Sequence, residues 1–237
     1  MSKTSYLFEQ LKQYIPSNDT LCALAAEKVI SDVSEEGIKA NFSGFIDKMN
    51  DEVYAQYLIN EEREGDKVLA ENIPTIKRLF FEMNAFFMSL SQSRKSRAGA
   101  AFEFIIRTLF KKLHYPFSEQ VVIDGAQPDF VLPSEEYFRS RPLDCIIFTA
   151  KRPLRERWRQ VVTEANKGYG FFLATIDDKV SLKQLQNMAA HKVYLVVPLN
   201  LKFTNETYLN QYNVISFEEF FLNHLDPAMA RWAPHLK

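Results

Sequence analysis

The spacing of apolar residues changes along the chain, from a helical period in the first part to a strand-like period in the second. Up to about residue 90, apolar residues recur every three or four positions, as Leu7, Leu11 and Ile15 do, and this spacing is typical of amphipathic helices. Pro74 lies at the start of a stretch dense in Leu, Phe and Met, where the first turn of a helix tolerates proline. The pattern predicts a helical N-terminal region over residues 1–90.

Residues 91–237 carry alternating helical and strand-like patterns. A helical stripe comes first, followed by two short apolar segments, "EQVVID" and "PDFVLP", that predict a hairpin around Gly125. Three further segments, "DCIIFTA", "GFFLATID" and "VYLVVPL", predict strands. Helices are predicted for "RERWRQVVTEANK", ending at Gly168, and for two segments capped by Ser181 and Ser216. This alternation predicts an α/β fold with a mixed central sheet flanked by helices.

The composition excludes disordered and fibrous proteins, and the charge distribution indicates what the chain binds. The chain has 237 residues, of which 46% are hydrophobic and 25% charged, so it is long enough and apolar enough to form a compact core. The formal net charge of -1 gives no general attraction to nucleic acid. Acidic residues are nevertheless concentrated between positions 35 and 72, and basic residues in 94–112 and 139–159. This separation of charge indicates a local site for an anion.

Cysteine content and hydropathy bear on the cellular compartment. The two cysteines, Cys22 and Cys145, are far apart in the sequence, so a disulfide framework is not expected. The N-terminal segment lacks the apolar region of a signal peptide, and no apolar run approaches the roughly 18 residues of a membrane span. We therefore expect a soluble cytoplasmic protein with no membrane partner.

Three ionisable residues form a candidate catalytic site. Asp129 lies at the margin of one predicted strand and Lys151 at the end of the next, so their side chains converge if the two strands pair. Glu164 lies on the helix that follows. Two carboxylates beside a lysine suit metal-assisted phosphodiester hydrolysis, in which the acids bind Mg²⁺ while the lysine orients or activates water and offsets developing phosphorane charge. Glu103, on the preceding helix, is a candidate outer or second-metal carboxylate.

Each of these residues also has an ordinary structural interpretation. An aspartate after proline is usual in turns, a lysine at a strand end is usually solvated, and a glutamate on a helix is usually exposed. The functional interpretation depends on their order along the chain, which is acid, strand, lysine, helix, acid. The four histidines show no metal-ligand spacing, so a zinc site is not expected.

This order of motifs resembles the PD-(D/E)XK nucleases. The chain has "PD", then "TAK" with its lysine 22 positions after Asp129, then "RERWRQ" and a glutamate 13 positions beyond Lys151. More narrowly, it resembles the EcoRII/SsoII-like type II restriction endonucleases, in which the second acid has migrated from the lysine strand to the next helix. Ala150 precedes the lysine here, so the usual acid of that strand is absent. "SRKSRAG", followed by Glu103, also resembles the entry to that family's catalytic helix.

The resemblance covers about residues 90–170. It implies a restriction-endonuclease-like PD-(D/E)XK catalytic core over residues 91–237, and residues 1–90 are assigned as a helical dimerisation or DNA-binding arm. The implied activity is that of a Mg²⁺-dependent type II site-specific deoxyribonuclease.

Arg155, Glu156 and Arg157 are the candidate base-reading residues. Arginine pairs bidentately with guanine in the major groove and a carboxylate accepts from the cytosine amino group, so the three side chains suit adjacent G·C pairs. The alternative is a solvated helix face with salt links between successive turns. Because these residues follow closely after the candidate catalytic Lys151, DNA recognition is favoured over a solvated helix face. The resemblance implies CC/GG half-sites in CCNGG or CCWGG targets.

Further contacts with double-stranded DNA are assigned to residues before the core strands. Arg94, Lys95 and Arg97 are expected to bind phosphates, which adds affinity but no sequence information. By resemblance, Gln92 contacts a base from the minor groove, and central nucleotides are flipped out against an aromatic side chain. A palindrome read with two-fold symmetry needs two copies of the site, so we expect a homodimer.

Two other functions are compatible with these residues. A repair or structure-specific PD-(D/E)XK nuclease would share Asp129 and Lys151 but would not depend on the base-reading residues. A non-catalytic DNA-binding protein would keep the fold without any Mg²⁺-dependent turnover.

Overall fold

The fold is that of a computed structural model, which describes residues 5–123, 125, 127–152, 154 and 170–235. The chain divides into two compact units. The helical unit comprises Met1–Ser31 and Asp47–Ile105, and the sheet unit comprises Asp32–Ile46 and Ile106–Lys237. Relative to the predicted boundary after residue 90, residues 32–46 thus fall in the sheet unit and 91–105 in the helical unit.

Five helices precede the sheet, as the apolar spacing predicts. Serine side chains begin the first two of them, because Ser5 accepts a hydrogen bond from the Phe8 amide (3.0 Å) and Ser17 one from the Thr20 amide (3.2 Å). Within the helical unit, Leu7 packs with residues of the later helices in an apolar cluster. The helices are α1 (Tyr6–Lys12), α2 (Asn18–Ile30), α3 (Glu35–Ala40), α4 (Phe42–Asn72) and α5 (Leu79–Lys112).

The start and length of α5 differ from the prediction. Pro74 lies in a short 3₁₀ turn, Ile73–Thr75, and not in the first turn of the long helix, which begins at Leu79. The helix then continues without a break to Lys112, through the point where we expected one region to end. The segment "SRKSRAG" contains no proline, and a single glycine such as Gly99 weakens a helix without ending it.

The sheet is mixed, which confirms the predicted α/β class. Its five strands follow chain order in space, from β1 to β5. β1 is antiparallel to β2, whereas β2, β3, β4 and β5 are parallel to one another. The strands are β1 (Phe130–Leu132), β2 (Ile146–Ala150), β3 (Gly170–Ala174), β4 (Val193–Val197) and β5 (Val214–Ser216).

Short helices connect and flank the strands of the sheet unit. Ser181 and Ser216 each close a reciprocal capping box at the start of a helix, as the sequence predicts. Among the helices that the structure describes, none is both long enough and apolar enough to cross a membrane. These helices are α6 (Glu135–Ser140), α7 (Leu182–Ala190), α8 (Leu199–Thr204), α9 (Glu206–Leu209), α10 (Phe217–Phe220) and α11 (Asp226–Trp232), with a π-helical turn at Phe221–Leu225.

The hairpin and the helix predicted before β3 are not both described by the structure. Where the expected hairpin around Gly125 falls on described residues, Ser118 and Val131 form an isolated antiparallel bridge with two backbone hydrogen bonds of 2.9 Å, and Ile123 is a further single bridge residue. Within its described residues, "EQVVID" forms no ladder. The helix predicted for "RERWRQVVTEANK", ending at Gly168, lies outside the described residues.

Both faces of the sheet are covered by apolar side chains. On one face Phe130 and Phe148 pack against Phe110 of α5, with ring centroids 5.8 and 5.4 Å away. On the other, Ile147 and Leu173 belong to a cluster that includes the buried side of α7. β2 is therefore buried along its whole length, which is why all of its residues except Thr149 are apolar.

Candidate active site

Asp129 and Lys151 meet at one end of the β1–β2 pair. Asp129 immediately precedes β1 and Lys151 immediately follows β2, and the register pairs Phe130 with Phe148. Because these strands are antiparallel, the beginning of one lies beside the end of the other. The Lys151 Nζ lies 2.8 Å from Asp129 Oδ2 and 3.0 Å from Oδ1. The structure thus brings two of the predicted site residues into contact.

The backbone of β2 fixes this pair. The Ala150 amide donates to Asp129 Oδ2 at 2.7 Å, which orients the carboxylate independently of the lysine. The Lys151 amide donates to the Ala174 carbonyl at 2.9 Å and so extends the β2–β3 ladder by one bond. The side chains of Asp129 and Lys151 remain 11% and 27% exposed, so a ligand in solvent can reach both.

Glu164 and the base-reading residues Arg155, Glu156 and Arg157 lie outside the described residues. Glu103 is a partly buried residue of α5 in the helical unit, and it has an interaction partner.

The described part of the site offers one carboxylate as a ligand for a divalent metal. Carboxylate oxygens suit a hard cation such as Mg²⁺, and Asp129 presents one partly exposed carboxylate with these donors. Among the described residues, no group of three or more His, Cys, Asp and Glu side chains could hold a metal ion. Glu164, the second ligand predicted from the sequence, lies outside the described residues.

The predicted phosphate-binding residues have different surroundings within the helical unit. Arg94 forms an ion pair with the buried Glu61, whose Oε1 accepts from its Nε at 3.0 Å. Arg97 donates to the Pro16 carbonyl at 2.8 Å and lies over the Tyr57 ring. Only Lys95 among the three presents an exposed cation that is not described as paired.

Gln92 lines an open cleft of the same unit. The cleft has a volume of about 870 Å³, and Arg97 and Phe104 also line it.

Burial and the neighbouring Glu61 carboxylate raise the pKa of Tyr57 to about 12, so this phenol stays protonated at neutral pH. The tyrosine therefore offers Arg97 an uncharged ring face and not a phenolate.

The structure adds two residues that the sequence did not identify. Thr175 and Asp177 follow β3, and their side chains hold the backbone that follows Lys151. Thr175 Oγ1 donates to the Arg152 carbonyl at 3.0 Å, and the Leu154 amide donates to Asp177 Oδ2 at 2.9 Å. The sequence alone could not indicate them, because their contact with the segment after Lys151 depends on β3 lying parallel to and beside β2.

An acid and a lysine on paired strand ends of a mixed five-stranded sheet define a restriction-endonuclease-like α/β architecture. Residues 66–221 match the family described as EcoRII C terminal, and this match covers more than half of the chain. The chain belongs to this family, which confirms the resemblance found in the sequence.

Individual relatives agree with this placement. The chain is 30% identical to the type II restriction enzyme SsoII of Shigella sonnei, over 72% of this chain and 59% of that protein. It is 35% identical to the type II restriction enzyme EcoRII of Escherichia coli, over 51% of this chain and 31% of that protein. The chain thus spans less than two thirds of the length of either relative.

A solved structure shows the same fold. Metal-depleted Ecl18kI in complex with uncleaved DNA superposes with a TM-score of 0.81 at 23% identity, covering 95% of this chain and 83% of that chain. The likeness confirms the restriction-endonuclease-like fold with its helical N-terminal region.

Proposed function

We propose that this protein is a Mg²⁺-dependent type II restriction endonuclease. It hydrolyses both strands of double-stranded DNA at a short palindrome with CC/GG half-sites, of the CCNGG or CCWGG type. The observation that carries the proposal is the contact between Asp129 and Lys151 at paired strand ends. The two curated relatives, both type II restriction enzymes, support the same activity.

The chemistry assigned to the site follows from its charges. Asp129 and Glu164 would hold the metal through carboxylate oxygens, with Glu103 as an outer carboxylate. Bound Mg²⁺ supplies positive charge that polarises the scissile phosphate and acidifies a water molecule. Lys151 orients the attacking water and offsets the negative charge that develops on the phosphorane. The hydrogen bonds between its ammonium group and the Asp129 carboxylate support this assignment.

DNA recognition is assigned to two sets of residues. Arg155, Glu156 and Arg157 read adjacent G·C pairs through the major groove. The other set lies near the middle of α5 and contacts the phosphate backbone and the minor groove: Gln92, Arg94, Lys95 and Arg97.

The assembly follows from the symmetry of the target. A palindrome presents the same half-site twice, so a homodimer places one active site on each strand. Residues 1–90 serve as the dimerisation or DNA-binding arm, and central nucleotides are flipped out of the duplex. The protein acts on DNA in the cytoplasm.

The test is cleavage of plasmid DNA by wild type and by Lys151→Ala. Wild type should give discrete bands in Mg²⁺, whereas Lys151→Ala should lose about a hundredfold to a thousandfold in rate, because removing a group that stabilises transition-state charge costs this much. Lys151→Ala should still bind the wild-type target specifically. Lys183→Ala, an exposed lysine of α7, is the control and should cut normally.

Three results would contradict the proposal. Nicking by purified Lys151→Ala at the wild-type rate would remove the catalytic assignment. A smear, or cutting only at branched DNA, would favour a repair or structure-specific nuclease. Specific DNA binding by wild type without any Mg²⁺-dependent turnover would favour a non-catalytic protein.

A further inference from the structure

The segment between Lys151 and the base-reading residues is held from one side by the end of β3. The last backbone bond between β2 and β3 runs from the Lys151 amide to the Ala174 carbonyl. Beyond it, the Thr175 hydroxyl donates to the Arg152 carbonyl and the Asp177 carboxylate accepts from the Leu154 amide. Two side chains thus continue the parallel ladder after its backbone bonds have ended.

The residues that provide these bonds are themselves fixed. Thr175 is fully buried, and its own amide donates to the Val196 carbonyl of β4 at 2.9 Å. Its hydroxyl also accepts from the Asp177 amide at 3.1 Å. The second oxygen of Asp177 accepts from the Lys179 amide at 3.0 Å, so both carboxylate oxygens are occupied.

Tyr208 supports the same turn from behind. Its hydroxyl donates to the Asp177 carbonyl at 2.6 Å and accepts from the Val180 amide at 3.1 Å, and its side chain is fully buried. Leu154, at the other end of the bond to Asp177, is 1% exposed and belongs to the apolar cluster of the sheet. The bond between Leu154 and Asp177 thus joins a buried apolar residue to a hydrogen-bonded turn, and Arg155 follows Leu154 directly in the sequence.

We propose that Thr175 and Asp177 are positioning residues that fix the register between Lys151 and the base-reading residues 155–157, and so set the sequence discrimination of cleavage. The inference rests on the proposed function. A positioning role and a purely structural role predict different effects on cleavage. Loss of stability alone lowers cleavage of correct and altered sites by the same factor. A loosened register instead lowers the rate at the correct site relative to altered sites, since productive geometry depends on the correct base contacts.

The experiment compares Thr175→Val and Asp177→Ala with wild type. Each full-length variant is given a duplex carrying the site mapped for wild type and a second duplex with one half-site base pair changed, and kcat/KM is measured for both in Mg²⁺. We expect the ratio between the two duplexes to fall by about tenfold or more, because a good bidentate base contact discriminates by roughly this factor. Binding to unrelated DNA without metal should not change.

Matched variants separate positioning from general damage. Thr175→Ser keeps the hydroxyl and should restore the wild-type ratio. Asp178→Ala removes the neighbouring exposed carboxylate, makes the same change of charge, and should behave as wild type. If Asp177→Ala fails to fold, Thr175→Val and Asp177→Asn decide, since both are close to isosteric.

Two outcomes are distinguishable failures. If wild type discriminates and folded Thr175→Val and Asp177→Ala keep the ratio within about twofold, the positioning role is wrong while the proposed function stands. If wild type neither cuts nor discriminates between the duplexes, the proposed function fails and the inference fails with it.

Discussion

At the scale of single residues, the Asp129 carboxylate is held by two different donors. The Ala150 amide fixes one oxygen from the backbone, while the Lys151 ammonium reaches both oxygens. The two contacts have different consequences, because the amide hydrogen bond needs only an acceptor, whereas the ion pair with Lys151 also needs a negative charge at position 129. A neutral acceptor at position 129 should therefore preserve the local fold and lose the charge.

This difference predicts the behaviour of Asp129→Asn. The amide oxygen of asparagine can still accept from Ala150, so the melting temperature should stay within a few degrees of wild type. Cleavage in Mg²⁺ should fall by at least about a thousandfold, because the variant loses the carboxylate assigned to the metal. Calorimetry and plasmid cleavage measure the two effects, with the exposed Asp178→Asn as the charge-matched control. Wild-type cleavage by Asp129→Asn would show that this carboxylate is not catalytic.

A second residue-scale prediction concerns His224. The centroid of its imidazole ring lies 4.9 Å from that of Phe172 and 5.0 Å from that of Tyr194. Burial lowers the pKa of His224 below its ordinary value of 6.5. Protonation is thus easier in the unfolded chain than in the fold, and folding stability is lost as pH falls through 6.5 towards the lowered pKa. Above the ordinary pKa this contribution does not change with pH.

His224→Phe should remove this part of the pH dependence. A phenyl ring keeps the aromatic packing and does not titrate in this range. Thermal melts between pH 8 and pH 5.5 should show a smaller loss of melting temperature for His224→Phe than for wild type, by a few degrees. If the melting temperature of the two proteins falls equally with pH, groups other than His224 control the acid sensitivity.

At the scale of elements, the aromatic cluster between α5 and the sheet is the main apolar contact described on that face. Phe110 of α5 is fully buried and its ring lies near those of Phe130 and Phe148. Phe110→Ala should lower the free energy of unfolding by about 3–5 kcal/mol, the usual cost of removing a buried phenylalanine. Phe203→Ala, at an exposed position of α8, should change it by less than about 0.5 kcal/mol. Chemical denaturation measures both, and equal effects would place the core elsewhere.

The elements that the sequence predicted well are short strands made of a nearly continuous run of apolar residues. β2, β3 and β4 each carry five consecutive residues of which most are buried, and no helical spacing competes with them. The start of α5 was predicted less well, because the choice between a first helical turn and a 3₁₀ turn at Pro74 depends on what the chain packs against.

The candidate site was predictable to the same extent as its strands. Asp129 and Lys151 could be brought together because two neighbouring apolar segments are expected to pair, and paired strands bring their ends together. Thr175 and Asp177 could not be connected to Lys151 in this way. Their contact depends on β3 lying next to β2 in a parallel arrangement, and this order is a tertiary property that local spacing does not carry.

At the scale of the whole molecule, the formal net charge is -1, so the proposed function requires that affinity for DNA come from local cations. The three basic residues near the middle of α5 differ in what binding would cost them. Arg94 would have to share or leave the buried Glu61 carboxylate, and Arg97 is engaged with a backbone carbonyl. Lys95 is exposed and offers its charge at the least cost. A phosphate contact by Lys95 should therefore appear as a simple, sequence-independent term.

This term can be measured from the salt dependence of binding without metal. Each phosphate contact contributes about 0.9 to the slope of log affinity against log salt, so Lys95→Ala should reduce the slope by about 1 and weaken correct and unrelated duplexes alike. Arg94→Ala should instead lower stability as well, because it leaves Glu61 buried without its partner. Lys183→Ala should change neither slope nor stability. A Lys95→Ala protein with the wild-type slope would move the phosphate-binding surface away from this part of α5, and a loss confined to the correct duplex would make Lys95 a base-reading residue.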